Sequence, residues 1–424
     1  MSNSINEPSR YCAFIGIDWA DKNHDICIQE KDSNKFERLT VEHSPEKLTK
    51  WILELADRYN HQPIAIAIET SKGPLINFLK PYSFVTLFQV NPLSLSRYRK
   101  TFRVSSAKDD IYDSELLCEL VKTRLHRLRA IQNDDQQTTE LGLLCEQRRH
   151  IVEERKRTCN QLTTHLKQYY PLALEVAGEE IHSKLACEFL LRFPILEDLQ
   201  AASDETIIQF YKEHKCYRKD VIDKRIKLIQ KAQPLTTDKV ITSTSIMTTK
   251  LYVRLLLTLR EAIIEHDEKI AGKLSQHPDC HLFTSLPGAG DVLAPRLLSM
   301  FGIDRNKFSS SDDVQKWSGV APITMQSGQM KVTLFRYACP KYIRQSFVEF
   351  AGCSIDYSMW AKAFYQIQRE KGKSYQSAVR ALAFRWIRII YKCWKENKPY
   401  DELTYLKSLQ KRRSPIIKQL ATAA

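Results

Sequence analysis

Glycine is scarce in this chain. There are 12 in 424 residues, and between Ile131 and His277 only Gly142, Gly178 and Gly272 occur. So long a stretch with few chain breakers predicts helices. Unbroken apolar spans of transmembrane length are absent, which excludes a membrane-spanning helix. Met1 to Arg10 is polar and lacks a secretory core, so a cytosolic, nucleoid-associated protein is expected. No Cys-x-x-Cys pair exists, and the 11 cysteines are odd in number, so reduced and mostly buried thiols are expected in place of a disulfide framework. His277-Pro-Asp-Cys280-His281 has no second half at zinc-finger spacing and is read as an ordinary loop. Acid is in deficit: 50 Asp and Glu face 64 Lys and Arg, a formal +14. That balance favours a polyanion, most commonly DNA or RNA.

What is present is enough for two or three globular domains, with 43% hydrophobic residues. Residues 11–130 alternate strand and helix signals. Asp25 to Gln29 and Phe36 to Val41 follow the first apolar run as strands of a meander. Ser44-Pro45 opens a helix whose apolar face is Leu48, Trp51, Ile52 and Leu55. A strand ending at Glu69, a short helix and a strand over Phe84 to Val90 complete the order of a ribonuclease H-type mixed sheet. Residues 131–277 are expected to be a helical spacer. Leu256, Leu259, Ile263, Asp267, Ile270 and Leu274 form a helix-pairing seam suited to a coiled coil or a plain bundle. Leu141, Leu144, Ile151 and Leu162 suggest its partner helix. Residues 278–410 form a mostly helical third segment. In it Asp304 to Asp313 and Pro322 to Met330 are read as loops, and the basic tail from Lys411 as frayed.

The chemistry gathers on carboxylates. Asp18 ends the apolar run Phe14-Ile-Gly-Ile-Asp18, and Glu69 ends Ile64-Ala-Ile-Ala-Ile-Glu69. Asp110 and Asp113 stand three apart at the start of a leucine-rich helix, with Leu116, Leu117 and Leu120 continuing that face into a core. Metal-dependent phosphodiester chemistry needs converging carboxylates, and strand ends are rigid platforms for them. Asp21, Asp25 and Asp109 are competing acids, and spacing alone does not separate Asp109 from Asp110.

Other stretches suit contact with nucleic acid. Leu286-Pro-Gly288-Ala-Gly290 has the form of a helix-hairpin-helix turn, where glycine lets amides approach phosphate, and equally of a plain inter-helix turn. Arg97, Arg99, Lys100 and Arg103 interleave with aromatics, as do Arg380, Arg385 and Arg388. Ser327-Gly328 marks an ordinary turn as readily as an exposed nucleophile, and no His or Asp triad partner stands nearby in sequence.

Taken in order, Ile15-Gly-Ile-Asp18, Ile66-Ala-Ile-Glu69-Thr70, Lys108-Asp-Asp110-Ile-Tyr-Asp113, Leu286-Pro-Gly-Ala-Gly290 and Trp317-Ser-Gly-Val-Ala-Pro322 leading to Ser327-Gly328 resemble the DEDD transposases of insertion-sequence family 110, the bridge-RNA-guided recombinases. The resemblance implies a Holliday-junction-resolvase-like first domain in which Asp18, Glu69, Asp110 and Asp113 bind Mg²⁺, and it selects Asp110 over Asp109. It implies that Ser327 attacks the DNA phosphate. It further implies a structured guide RNA pairing with target and donor DNA, and a homo-oligomer, dimer or tetramer. The sequence departs from the family pattern at Asp109 and at Ser114, where alanine is usual. Two other functions fit the same residues: a metal-dependent junction resolvase using water, and a non-enzymatic protein that bridges nucleic acid.

Overall fold

Strand alternation in the first segment sorts large from small side chains, and the fold follows from that sorting. A computed structural model describes residues 5–70, 73–102, 110–131 and 134–423. The chain divides into two units, residues 1–134 and 135–424, so the expected second and third segments fall within one unit.

In the first unit β1 (Ala13–Asp18), β2 (Asn23–Glu30) and β3 (Glu37–Glu42) form an antiparallel meander. Helix α1 (Pro45–Arg58) follows, capped by Ser44, whose hydroxyl accepts from the Lys47 amide at 3.2 Å. β4 (Ile64–Ile68), α2 (Pro74–Leu79) and β5 (Val85–Gln89) come next, with β4 parallel to β1 and β5 parallel to β4. Helices α3 (Pro92–Phe102) and α4 (Asp110–Arg124) precede the short β6 (Arg129–Ala130). The sheet order is β3-β2-β1-β4-β5-β6, a mixed sheet flanked by helices as the element order led us to expect.

The two faces of this sheet differ in bulk. Ile15, Ile17, Ile64, Ile66 and Ile68 pack on one side with Leu48, Trp51, Ile52 and Leu55 of α1. Phe14, Cys27, Ala65 and Ala67 face the other way, against Leu116, Leu117, Cys118 and Val121 of α4. Small residues on that second face let α4 descend onto β1. At Gly16 the approach is limiting: a Cβ there would overlap the Ser114 carbonyl oxygen and the Cys118 amide nitrogen.

In the second unit α5 (Gln136–Tyr169) and α11 (Lys239–Gln276) pair along their length, and five short helices, α6 to α10, fill residues 173–231 between them. The pair runs antiparallel, with Arg148 bonded to Asp267 and Tyr169 bonded to Thr249 at 2.7 Å. The one polar member of the predicted seam is thereby given a guanidinium partner. At the far end His277 is buried: its ring bonds Thr138 at 3.0 Å and accepts from the Asp279 amide at 3.1 Å. Asp279 is held by both terminal nitrogens of Arg305 at 2.7 Å. This stretch is a staple between α11 and the next helix, and only its first half is loop, since Cys280 and His281 are helical.

Helices α12 (Cys280–Thr284), α13 (Gly290–Phe301) and α14 (Ser311–Trp317) lead to a hairpin of β7 (Ile323–Ser327) and β8 (Met330–Leu334). Then come α15 (Lys341–Tyr357), α16 (Met359–Glu370), α17 (Tyr375–Glu396), α18 (Glu402–Lys411) and α19 (Pro415–Ala423). Three expectations are corrected here. The segment from Pro322 is a two-stranded hairpin and not a loop, because Ile323, Met325, Met330, Val332 and Leu334 alternate with polar residues at strand period. The Asp304 loop ends earlier, since Ser310 caps α14 through the Asp313 amide at 3.2 Å. The tail is helical to residue 423 and docks Ile416 in the core of this unit. Among the described residues no helix is long and apolar enough to cross a membrane.

Candidate active site

Asp18 is the last residue of β1, and Glu69 follows the last residue of β4. The parallel register pairs Ile17 with Ile68, so the two carboxylates leave neighbouring strands side by side. Residues two apart share a face. Phe14 and Gly16 face α4, and so therefore does Asp18; Ala65 and Ala67 carry Glu69 to the same side. Asp113 sits in the first turn of α4, one residue before the Ser114 carbonyl that rests on Gly16. The close approach at Gly16 thus sets the height of Asp113 above the strand ends.

Asp113 is 3% exposed. Its Oδ2 accepts from Nη2 of Arg99 on α3, while Oδ1 is buried with no hydrogen-bond partner. A buried carboxylate oxygen without a donor is costly, and a divalent cation is the kind of group that satisfies it. The donors Asp18, Glu69 and Asp113 therefore fit a hard, oxygen-seeking ion such as Mg²⁺. Among the described residues no three metal-ligating side chains are yet gathered. Asp110 opens α4, and its side chain, like Asp109 and Arg103 entirely, lies outside the described residues. Of the competing acids, Asp21 is exposed in the β1–β2 turn, and Asp25, across the ladder from Asp18, accepts from Thr40 at 2.8 Å.

Below these strand ends lies a histidine pair that sequence reasoning missed. His24 is fully buried, stacks on Trp19 and accepts the Ala20 amide proton on Nδ1 at 3.4 Å. Its proton then sits on Nε2 and is donated to Nδ1 of His43 at 2.9 Å. Burial first, and His43 second, hold the His24 pKa below its ordinary value.

The basic residues of α3 divide. Arg97 and Lys100 are exposed, whereas Arg99 turns onto Asp113. Gly288 and Gly290 both adopt positive φ, at 78° and 51°. A side chain at Gly288 would press on the Cys353 carbonyl of α15 at 3.0 Å, whereas Gly290 opens onto free space. In α17, Arg385 bonds the Tyr405 hydroxyl at 2.8 Å and Arg388 lies over Phe384.

Ser327 ends β7, opposite Met330, and the two-residue turn uses Gly328 at φ 57°. It is exposed. The ladder puts Ile323, Met325, Ser327, Met330, Val332 and Leu334 on one face and Thr324, Gln326, Lys331 and Thr333 on the other. The hydroxyl therefore stands at the tip of an apolar face.

Two family models match this chain. Residues 15–171 match a transposase model, the DEDD type of IS110 elements, and residues 280–366 match the model described as transposase IS116/IS110/IS902 family. A mini-circle putative transposase for IS117 from Streptomyces coelicolor is 25% identical over 395 residues, covering 92% of this chain and 95% of that protein. Putative transposase y4uE from Sinorhizobium fredii is 26% identical, over 50% of this chain and 59% of its own length. An uncharacterized 43.6 kDa protein of insertion element IS110, also from Streptomyces coelicolor, is 23% identical over 70% of this chain and 72% of its own. With both family models in chain order and one relative matched nearly end to end, this chain belongs to the IS110 family of transposases.

Proposed function

We propose that this transposase cuts and rejoins DNA with a carboxylate-held Mg²⁺ site in a ribonuclease H-like domain, residues 11–130, and with Ser327 as nucleophile. Residues 131–277 act as the helical spacer and residues 278–410 as the serine-bearing segment. A structured guide RNA pairs with target and donor DNA, and the protein works as a dimer or tetramer in the cytosol, at the nucleoid. The observation that carries the reading is the buried, unpartnered Oδ1 of Asp113 on the face to which Asp18 and Glu69 project.

In this reading Asp18, Glu69, Asp110 and Asp113 hold the metal. When bound, Mg²⁺ supplies charge neutralisation to the phosphodiester and its leaving oxygen. Arg99 keeps one oxygen of Asp113 in place. Ser327 Oγ forms a bond to phosphorus as its own O–H bond and one phosphorus–oxygen bond to the sugar break, and the proton it gives up balances the one taken up by the departing sugar oxygen. Attack by a DNA hydroxyl on that phosphoserine restores the serine and seals the new strand. The exposed hairpin tip leaves Oγ open to a macromolecular substrate.

Covalent trapping tests this. Protein, element-flanking DNA, the flanking RNA transcript and Mg²⁺ are mixed, denatured and assayed for DNA attached to protein. The expected adduct is lost in both Ser327→Ala and Asp18→Asn. Metal-dependent cutting with no adduct would replace the serine with water, making the protein a resolvase. Binding that survives Asp18→Asn with no change in the DNA would make it a bridging protein.

A further inference from the structure

At the root of the Ser327 hairpin is a cleft of about 500 Å³, lined among others by Leu334, Arg336, Lys373 and Arg380. It contains no carboxylate. Phe335 organises it: the Arg344 and Arg380 guanidiniums lie 4.3 and 4.7 Å from its ring centroid. Arg344 donates to the Arg336 carbonyl at 2.7 Å, and Arg336 Nε to the Ala321 carbonyl at 3.1 Å, which fixes the strand leaving β8. Lys373 bonds the neutral Gln368 amide oxygen at 2.6 Å. Among the described residues none of these four cations has a carboxylate partner. Tyr337 packs edge-on to Phe335 at 5.0 Å and is 80% exposed.

Four cations without a carboxylate partner, two of them on one aromatic ring, repel one another until an anion enters. Guanidiniums fixed in direction suit phosphate, and an open tyrosine beside them offers a stacking surface to a base. We propose that this cleft binds two neighbouring backbone phosphates of single-stranded nucleic acid, one at Arg380 and one at Lys373, with Tyr337 stacking on the adjoining base. The proposal rests on the protein acting on nucleic acid and does not require Ser327 to be the nucleophile. The hairpin sets the spacing: the Ser327–Met330 pair lies four residue steps from Ile323–Leu334. At ~3.4 Å each that is ~14 Å along the hairpin. The cleft would grip the strand a few nucleotides from the hydroxyl.

The test is the salt dependence of binding to short single-stranded DNA and RNA of one sequence, read by fluorescence anisotropy on the full chain. Each lost phosphate contact lowers the slope of log affinity against log salt by ~0.7 for single strands. Lys373→Ala/Arg380→Ala is expected to lower it by ~1.4, with Ser327→Ala unchanged. Tyr337→Ala is expected to weaken binding about five-fold or more at constant slope. Should Arg380→Ala fail to fold, Lys373→Ala and Tyr337→Ala on exposed side chains carry the test, with a slope loss of ~0.7 for the first. A fall in the DNA arm alone assigns the cleft to a DNA strand, in the RNA arm alone to the guide, and in both to the shared backbone. Unchanged slopes in both arms from folded variants overturn it, whatever the adduct assay shows.

Discussion

Arg99 and Asp113 are bound across the α3–α4 pair so that the guanidinium covers one carboxylate oxygen and leaves the other buried and open. The Asp113 side chain is 4% exposed, so its charge depends on a neighbour. Removing that neighbour should cost about 3 to 5 kcal/mol, the scale for stranding a buried charge. Arg99→Ala is therefore expected to lower the urea midpoint markedly without divalent ions and to recover part of the loss in Mg²⁺. Recovery should vanish in Arg99→Ala/Asp113→Asn. A midpoint indifferent to Mg²⁺ in Arg99→Ala would mean that Asp113 does not see the ion.

Gly16 tests the geometry from below. Its missing Cβ is replaced by the Ser114 carbonyl and the Cys118 amide, both backbone and unable to swing away. Gly16→Ala should cost about 3 kcal/mol, the upper part of the overpacking range. It should also remove strand transfer at temperatures where the variant is still folded. Thermal melts beside the adduct assay separate the two effects.

The His24–His43 pair predicts a pH dependence. The folded state holds the His24 pKa below its unfolded value, through burial and His43, so the unfolded chain binds the extra proton first. Stability from this group is full above about pH 6.5 and declines as pH falls through the folded pKa. The slope contributed by one proton is at most ~1.4 kcal/mol per pH unit. Urea midpoints at about pH 5.5 and about pH 7.5 should diverge less in His24→Gln than in the natural chain. An equal divergence would place the titration elsewhere.

On the α5–α11 seam, Asp267 is 44% exposed although Arg148 is only 14% so. Solvent screens such a pair, and Asp267→Asn should cost about 1 kcal/mol or less. Leu256→Ala on the same helix, at a fully buried site, should cost about 2 to 5 kcal/mol. Denaturation of the two variants side by side decides whether apolar burial or the ion pair holds the long helices.

Local pattern made much of this legible. The alternation of Ile15, Ile17, Ile64, Ile66 and Ile68 and the Ser44-Pro45 cap are local signals, so β1, β4 and α1 lie where the residues put them. Asp18 and Glu69 at strand ends follow from the same runs. The hairpin was missed although its alternation was visible, because Met, Gln and Ser are indifferent strand formers and Ser-Gly is common in loops. Arg99 on Asp113, His24 on His43 and Phe335 between two arginines are contacts across space, and no spacing along the chain encodes them. The descent of α4 onto Gly16 is likewise a property of two backbones meeting.

The hairpin leaves a last consequence. Which way Ser327 faces is a matter of parity: odd positions of β7 fall on the apolar side and even ones on the polar side. Inserting or deleting one residue between Ile323 and Ser327 would turn the hydroxyl to the opposite side with composition, charge and turn almost untouched. The aim of the Ser327 hydroxyl is thus counted out along the strand, and it tolerates substitution far better than a change of length.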